Sequence, residues 1–417
     1  MKEAELPVVV AGGGVIGAAC AHYLAEAGRK VVILEKGAFG AACSAHNCGY
    51  VCPSHVLPLT EPGAVASTLR GMLKPNSPFS VKLRFDLRLA YWFLRFTLRC
   101  NESDMLAGAR AIQPLLLSSM KLYRGLMAEG ELPCEWKEKG LLYVYRSKEK
   151  FAAFARTNDL LSEGFGESAT RLSGEDLSAF EPALKPGLAG AWWYEEDAHL
   201  RADRLMDSWK DNLLGRGVEV RENCAWTGIR DNGDDAVTVE SESGPLEASR
   251  LVVAAGAWTP LLRDLLGWRA PIQPGKGYSL TMQRPEVCPE TPMIFPETRV
   301  AVTPFESGYR LGSTMEFAGY DESLAPKRLA LLKQGVKDYL REPYREPAET
   351  TWYGWRPMTW DSVPIIGPCP GRPNVILATG HNMLGLSMAP ATGKLVAEII
   401  EGAAPHLEPG PYSPSRF

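Results

Sequence analysis

The opening of the chain limits its fold more than any other segment. An apolar run from Val8 to Ala11 precedes three consecutive glycines, and a second apolar run, Val31 to Leu34, follows an alanine-rich stretch that ends at Gly28. Four-residue runs of this kind suit strands that are buried on both faces, and alanine favours a helix between them. A strand, a glycine-rich turn, a helix and a second strand in this order predict a parallel βαβ unit.

The glycine pattern of the turn predicts what the βαβ unit binds. Gly12, Gly14 and Gly17 form G-x-G-x-x-G directly after a strand and at the start of a helix, where the pattern is informative. The glycines permit a tight turn, close approach to a pyrophosphate and close helix packing, and the helix N-terminus supplies N–H donors. Glu35 ends the second strand, where its carboxylate can accept hydrogen bonds from ribose hydroxyls. The alternative is a turn that serves packing alone. The predicted dinucleotide site comprises Gly12, Gly14, Val15, Ile16, Gly17, Glu35 and Lys36.

Composition excludes several classes of protein. Lys and Arg total 45 against 49 Asp and Glu, a formal net charge of -4 in 417 residues, so the chain has no overall positive field for nucleic acid. Nine cysteines are too few for a disulfide scaffold and indicate a reducing, cytoplasmic compartment. No uncharged apolar stretch approaches the roughly 20 residues of a membrane-spanning helix, so any membrane contact is expected to be peripheral, on the inner membrane face.

The remaining segments predict a second lobe. Residues 37–63 lack a clear period and predict a long ordered loop, whereas residues 79–130 predict helix. Strand-like segments between residues 274 and 316, separated by Pro and Gly, predict an antiparallel sheet. The chain then returns to α/β character, with a strand at residues 375–378 and a helix at 388–401.

Segments far from the N-terminus decide between two dinucleotides. FAD and NAD both present an adenosine diphosphate to a βαβ unit, so the opening unit does not separate them. The glycine-punctuated segments LVVAAGAW (251–258) and ATGHNMLGLSMAPATG (378–393) favour FAD, because an extended flavin needs contacts from several segments. A helix N-terminus near Gly385 could stabilise negative charge on the pyrimidine end of a reduced flavin. The predicted cofactor is therefore FAD.

Six segments, taken together, resemble the D-amino acid oxidase superfamily of flavoproteins. Within it they are most similar to bacterial FAD-dependent D-amino acid dehydrogenases, including the branch that acts on D-proline or hydroxy-D-proline. The segments run almost from end to end of the chain: the opening fingerprint with Glu35 and Lys36, CSAHNCGYVCPSH (43–55), LVVAAGAW (251–258), PGKGYSLTM (274–282), WRPMTWDSVPIIG (355–367) and ATGHNMLG (378–385).

The resemblance implies an α/β fold, with a Rossmann-type FAD-binding domain and an inserted α+β substrate domain built on an antiparallel sheet. The FAD-binding domain is expected to be discontinuous and to comprise residues 1–60, 190–258 and 345–417. The substrate domain, with its helical segment, is expected to comprise residues 61–189 and 259–344.

The resemblance also assigns roles to individual residues. Arg356 matches the arginine that pairs with the substrate carboxylate, and its fork of N–H donors suits that partner. Tyr278 is expected either at the substrate pocket or in the core, and His381 either as a hydrogen-bonding group near the flavin or as a structural residue. Ala301 is expected to leave room for a ring-shaped substrate. Flavin contacts are expected from Ser44, Asn47, Cys48, Gly49, Ala255, Gly256, Gly380, Leu384, Gly385, Leu386 and Ser387.

The implied reaction is hydride transfer from Cα of a D-amino acid to FAD without a protein base, with a quinone or another non-oxygen molecule as electron acceptor. An oxygen-using oxidase of glycine or sarcosine and a flavin-binding electron-relay subunit are the alternatives. His46 precedes Asn47 where the family usually has a small residue, which opens covalent flavin attachment as an option. Cys43, Cys48 and Cys52 have spacings that fit neither zinc pairs nor iron–sulfur motifs, so no metal is predicted.

A basic and aromatic segment at residues 84–99 raises a separate question. Phe85, Leu89, Trp92, Phe93 and Phe96 share one face of the expected helix, and arginines at positions 84, 88, 95 and 99 share another. The segment is interpreted either as a core helix or as an interfacial helix that meets anionic lipid and a membrane quinone.

Overall fold

The computed structural model describes residues 6–72, 77–82, 85–233 and 236–417. Arg84, one of the four arginines of the predicted amphipathic helix, lies outside the described residues. Within these ranges the strands β1 to β20 are, in chain order, Val8–Ala11, Val31–Leu34, Tyr50–Val51, Phe79–Val81, Leu141–Tyr145, Thr170–Ser173, Gly190–Tyr194, Ala198–His199, Glu219–Arg221, Trp226–Asp231, Val237–Ser241, Gly244–Ala248, Arg250–Val253, Ile272–Met282, Met293–Phe295, Val300–Phe305, Gly308–Phe317, Thr350–Thr359, Ile365–Cys369 and Arg372–Thr379. The helices α1 to α11 are Val15–Glu26, Ala64–Met72, Leu87–Arg99, Glu102–Ala128, Lys148–Ala153, Ala155–Phe165, Gly174–Phe180, Ala202–Gly215, Arg263–Leu266, Pro326–Val336 and Gly385–Glu401.

A six-stranded sheet contains the N-terminal βαβ unit. Its strand order is β19-β20-β13-β1-β2-β9, and the five strands from β20 to β9 run parallel. Every residue of β1 and β2 is buried, as strands covered on both faces require. Helices α1 and α11 pack closely, since a Cβ added to Gly393 of α11 would lie 2.4 Å from the backbone of Ala19. The predicted βαβ unit is confirmed.

A nine-stranded sheet forms the second lobe. Its order is β18-β14-β17-β16-β15-β5-β7-β6, with β4 beside β17. Its pairs are antiparallel except β5 with β15 and β4 with β17, as far as the described residues show. Two sheets of these types confirm the predicted α/β class with a second domain on an antiparallel sheet.

Two predicted domain boundaries differ from the sheets by one strand each. Strands β7 and β18 begin at Gly190 and Thr350, inside segments that were assigned to the FAD-binding domain. Both pair within the nine-stranded sheet, β7 with β5 and β18 with β14. Because strands of this sheet pair across long sequence separations, local pattern gives no signal for these two boundaries.

The predicted helical region from residue 79 to 130 needs one correction. Phe79–Val81 form β4, which pairs in parallel with the end of β17. Helix α3 begins after Asp86, whose carboxylate caps it by accepting from two backbone N–H groups. Phe85 precedes this helix and is 92% exposed, so it does not share the buried face of Leu89 and Trp92. Among the helices within the described ranges, none is both long enough and apolar enough to cross a bilayer.

Candidate active site

A cavity of about 530 Å³ lies where the two sheets meet. Its walls come from the glycine-rich turn after β1, the loop of residues 42–52, the N-terminus of α11 and strands β14 and β18 of the second sheet. The carboxyl ends of parallel strands are the usual place for a dinucleotide. The cavity therefore connects the predicted cofactor site to the predicted substrate site.

Two glycines of the turn are required by close contacts. Gly12 has φ +118°, and a Cβ on it would lie 2.5 Å from the carbonyl oxygen of Ala254. A Cβ on Gly17 would lie 1.8 Å from the carbonyl oxygen of Gly12. The backbone N–H of Val15, at the start of α1, donates to Ser44 Oγ at 2.9 Å. This close packing leaves the turn and the α1 N-terminus as a cradle for a pyrophosphate.

Glu35 and Lys36 lie at the nucleotide end of the cavity. The Glu35 carboxylate accepts from the N–H groups of Gly13, at 2.7 Å, and Gly37, at 2.9 Å, which fixes its direction at the end of β2. Each carboxylate oxygen keeps a further lone pair that can accept a ribose hydroxyl. The Lys36 ammonium lies 3.8 Å from the centre of the Trp258 ring, another cavity wall residue. This end of the cavity fits an adenosine.

Side chains of the second sheet donate hydrogen bonds to four successive backbone carbonyl groups of the loop, those of residues 45–48. Arg310 donates to the carbonyls of residues 45 and 47 at 3.3 and 2.7 Å. Ser279 donates to that of residue 46 at 2.9 Å, and Thr303 to that of residue 48 at 2.7 Å. The Arg310 side chain is fully buried and also contacts the Asp203 carboxylate at 3.3 Å. The loop predicted to pass the flavin is therefore fixed to the substrate lobe.

The other end of the cavity meets the N-terminus of α11. Leu384, Gly385, Leu386 and Ser387 line the cavity, and no acidic side chain lies in the first turn of this 17-residue helix. Ser387 donates to the carbonyl of Tyr50 at 2.9 Å, which connects the helix start to the loop of residues 42–52, called the flavin loop below. The unpaired N–H groups and the positive end of the helix dipole favour an anionic group here.

Arg356 lies flat against Gly277 on the cavity side of the second sheet. A Cβ added to Gly277 would lie 2.4 Å from both terminal guanidinium nitrogens of Arg356. Nη1 donates to the carbonyl of Thr314 at 2.8 Å. That carbonyl follows Ser313 in a bulge where both residues have positive φ, 117° and 60°, a strained backbone of the kind found at functional sites. Among the described residues Arg356 has no carboxylate partner, so its charge is available to a ligand.

Tyr278 borders the cavity, but most of its side chain packs in the core of the second lobe. Its ring is 2% exposed and packs with apolar residues of β14, β16 and β17. Its hydroxyl donates to Glu316 at 2.7 Å, and burial together with that carboxylate raises the pKa of the phenol. Of the two roles predicted for Tyr278, these contacts favour the core.

His381 is buried against the start of α11. Its Nε2 lies 3.0 Å from the hydroxyl of Thr392, and burial lowers its pKa to about 3. The imidazole is therefore neutral near pH 7 and does not serve as a cationic acid. This contact agrees with a hydrogen-bonding or structural role.

The pH dependence of stability provides a test of this assignment. The folded pKa of His381, about 3, lies below the ordinary value of 6.5, so its stabilising contribution is complete above pH 6.5 and is lost as the pH falls. Between pH 7 and 5 we expect the free energy of unfolding of the wild type to fall by about 2 kcal/mol more than that of His381→Asn. Urea unfolding of both proteins at the two pH values measures this difference; parallel curves would mean that His381 is accessible to protons.

The sequence missed the residue that shares the cavity face with Arg356. Along β18, Trp352 and Gly354 alternate onto the same side as Arg356, and the Trp352 ring covers Gly354, with a hypothetical Cβ only 2.2 Å away. The His46 ring lies 5.7 Å from the Trp352 ring and also lines the cavity. The alternation of WYGWR in a strand is the signal that would have found Trp352. Covalent attachment through His46 stays a prediction.

A cavity that extends from a pyrophosphate cradle to a second helix N-terminus, with an uncompensated arginine beside it, fits an extended flavin. The protein class is therefore a flavin-dependent oxidoreductase. The chain belongs to the DAO family of FAD-dependent oxidoreductases, whose model matches residues 7–399. FAD is the cofactor of this family, and the predicted cofactor is confirmed.

Curated relatives share almost the whole length of the chain. A D-amino acid dehydrogenase of Granulibacter bethesdensis is 31% identical over 420 residues, which cover 98% of this chain and 99% of the relative. One of Neisseria gonorrhoeae is 30% identical over 421 residues, with 99% of both proteins covered. The predicted resemblance is confirmed.

Solved structures share the fold. Glycine oxidase from Geobacillus kaustophilus superposes with a TM-score of 0.79 at 23% identity and 99% coverage of both chains. L-proline dehydrogenase from P. horikoshii gives 0.71 at 21% identity, covering 99% of this chain and 98% of the other. At these sequence identities, the structural similarity shows that the fold is shared.

Proposed function

We propose that this protein oxidises D-amino acids with FAD, by transfer of a hydride from Cα to flavin N5. The observation that supports the proposal most is the Arg356 guanidinium, which faces the cavity with one hydrogen bond to a carbonyl and no carboxylate partner among the described residues. FAD, when bound, accepts the hydride. The names of the curated relatives support the same donor class.

The residues around Arg356 orient the substrate rather than exchange protons with it. A carboxylate can accept two N–H groups of the guanidinium fork, which fixes the direction of the Cα–H bond. Apart from Arg356, the Asp, Glu, Lys and Arg residues that line the described cavity are Glu35 and Lys36, at the nucleotide end. The described residues that line the substrate end thus include no carboxylate that could act as a base, which supports a reaction of the neutral amine.

The lack of charged residues other than Arg356 along the described substrate end of the cavity predicts which substrate side chains the enzyme accepts. A cationic or anionic substrate side chain would lose its hydration at the described substrate end without gaining a counter-charge, and burial of an unpaired charge is costly. Neutral substrates, among them D-alanine, D-proline and hydroxy-D-proline, are therefore expected to react faster than D-lysine or D-glutamate. Ala301 lines the cavity and adds little bulk there.

Anaerobic mixing of the purified yellow protein with single amino acids tests the proposal. We expect neutral D-amino acids to bleach the flavin absorbance, and their L-enantiomers to leave it unchanged. Glycine and sarcosine are included in the panel, and peroxide is measured in parallel under air. Bleaching only by glycine or sarcosine, with peroxide formed at the same rate, would identify an oxidase instead. No bleaching by any amino acid would favour an electron-relay subunit.

We propose further that helix α3 contacts an anionic membrane surface, where the electrons pass to a quinone. The inner face of α3, with Leu89 and Trp92, packs against Phe317 and Met358, as expected of a core helix. The outer face carries an apolar stripe at helical spacing that remains 51 to 70% exposed: Leu87, Tyr91, Leu94 and Leu98. The structure thus supports features of both interpretations of this helix.

Basic residues beside the stripe favour anionic lipid as its partner. The charges of Arg88, on α3, and of Arg263 each lower the pKa of the Arg269 guanidinium, after the larger effect of burial. On α3 itself, Arg88 follows Leu87 and the Arg95 guanidinium contacts the hydroxyl of Tyr91, and cations beside exposed apolar residues match the composition of a peripheral membrane helix. Each cation near an anionic surface contributes about 1 kcal/mol of attraction at low salt.

Flotation with lipid vesicles measures the contact. We expect the wild type to float with phosphatidylglycerol vesicles and not with phosphatidylcholine vesicles. The triple variant Leu87→Gln, Leu94→Gln and Leu98→Gln should remain in solution, whereas Leu214→Gln, at another exposed leucine, should float as the wild type does. Equal flotation of all three proteins would remove α3 from the proposed membrane contact.

A further inference from the structure

Three side chains of types that commonly bind metal ions lie close together at the C-terminal end of the flavin loop. One ligand atom each from Cys52, His55 and Asp197 lie within 4.8 Å of one another. Cys52 and Asp197 are buried, at 1% and 0% exposure. Thiolate, imidazole and carboxylate are the three ligand types that zinc takes from proteins.

Local pairing of two short strands creates this cluster. β3 and β8 pair antiparallel, with Val51 opposite Ala198. Cys52 directly follows Val51 and Asp197 directly precedes Ala198, so the two residues lie side by side at the same end of this strand pair. A turn then brings His55 back, because its N–H donates to the carbonyl of Cys52 at 3.2 Å. The contact joins residues that are far apart in the sequence, so the spacing of the cysteines alone could not reveal it.

The His55 ring has one anchored and one free nitrogen. Nε2 lies 3.1 Å from the hydroxyl of Tyr143. Nδ1 is buried and has no hydrogen-bond partner among the described residues. A metal-binding histidine commonly donates its second ring N–H to an outer oxygen in this way, which leaves the other nitrogen for the ion.

Asp197 is a buried carboxyl group without a cation. It accepts from the N–H of Ser54 at 3.1 Å and from Ser54 Oγ at 2.5 Å, but no Lys, Arg or His of the described chain forms an ion pair with it. Hydrogen bonds of this kind orient ligating carboxylates in metal sites. A metal ion at this position would supply the positive charge that keeps a buried carboxyl group ionised.

We propose that Cys52, His55 and Asp197 bind one Zn²⁺ ion. Cys52 and His55 also line the flavin cavity, so a fourth coordination position faces that cavity. Binding requires that the Cys52 thiol, and the Asp197 carboxyl group where it is protonated, release their protons to solvent, and no electron is exchanged. Burial raises the pKa of Cys43 and Cys48, the other thiols of the loop, and the charge of Arg356 opposes this rise at both.

Metal analysis of the FAD-loaded, tag-free protein tests the site. After dialysis against ZnCl₂ and then buffer, we expect one zinc ion per chain. X-ray absorption at the zinc edge should show one sulfur ligand at about 2.3 Å and nitrogen or oxygen ligands at about 2.0–2.2 Å. A coordination shell without sulfur, or no retained zinc, would overturn the proposal without any variant.

Matched variants locate the ion. Cys52→Ser, His55→Gln and Asp197→Asn should each weaken zinc affinity at least about tenfold, and Tyr143→Phe, which removes only the outer contact, by about tenfold. Cys288→Ser, at a thiol outside the cluster and the cavity, should bind zinc as the wild type does. Flavin content and the midpoint of thermal unfolding, measured without zinc, report whether each variant is folded. Equal zinc binding by the folded variants would show that the ion binds elsewhere.

Discussion

Replacing Arg356 with lysine is expected to lower kcat/KM for D-amino acids by about 100-fold or more. Lysine keeps the positive charge but loses the planar fork, so the substrate carboxylate is held by a point charge and the Cα–H bond is no longer directed at the flavin. The Thr314 carbonyl also loses the donor that it now accepts from. Stopped-flow measurement of anaerobic flavin reduction gives the rate directly, and the flavin content should not change.

Two further variants separate this effect from a general loss of charge or stability. Arg230→Lys, at an exposed ion pair with Glu240, should react as the wild type does. Gly277→Ala should slow flavin reduction although Arg356 is intact, because the added methyl group would lie 2.4 Å from its guanidinium nitrogens and must displace them. A normal rate in both Arg356→Lys and Gly277→Ala would remove Arg356 from the substrate site.

The second large effect is expected at the pyrophosphate turn. In Gly17→Ala the new Cβ would lie 1.8 Å from the carbonyl oxygen of Gly12, so the turn and α1 must move apart. Overpacking of this kind costs roughly 1–3 kcal/mol, which corresponds to about 5- to 150-fold weaker FAD binding where the cost falls on the cofactor-bound state. The dissociation constant of FAD, from titration of the apoprotein by flavin fluorescence, measures it.

A glycine with free space around it is the matched control. Gly125 lies in the exposed part of α4, and a Cβ there would meet no atom within 4 Å. Gly125→Ala should therefore leave FAD binding unchanged and raise stability by about 0.5–1 kcal/mol, the usual gain of alanine over glycine within a helix. Weakened FAD binding in both variants would point to a nonspecific effect of the substitutions.

The sequence predicts the cofactor unit well because that unit is local. β1, the glycine turn, α1 and β2 are continuous in the chain, and their burial, spacing and terminal Glu35 each report the same structure. Arg356 was reached through a resemblance, and its contacts with Gly277 and Thr314 could not be derived, because they depend on the register of β14, β17 and β18.

The features that the sequence leaves open share one physical origin. Tyr278 and Gly277 are neighbours on β14, but successive side chains of a strand point to opposite faces, and only the tertiary fold decides which face meets the cavity. β7 and β18 pair within the nine-stranded sheet although they lie in ranges expected for the FAD-binding domain, and the sequence gives no signal of this pairing because β5 and β14, their partners, lie far away in the chain. Cys52, His55 and Asp197 likewise come together only through the pairing of β3 with β8.

The four loop carbonyls bound by Arg310, Ser279 and Thr303 have a consequence for how ligands move in and out. These bonds join the two lobes directly beside the reaction centre. If the lobes separated there, the buried Arg310 guanidinium would lose its two loop carbonyls and Asp203 and would keep Thr281 Oγ1, on the neighbouring strand of its own sheet, as an acceptor. A hinge at this seam would thus break the Asp203 ion pair and the loop hydrogen bonds of Arg310 at the same time. Turnover is consequently expected to proceed in a rigid frame, with passage of substrate and product governed by rotation of individual side chains rather than by opening of the lobes.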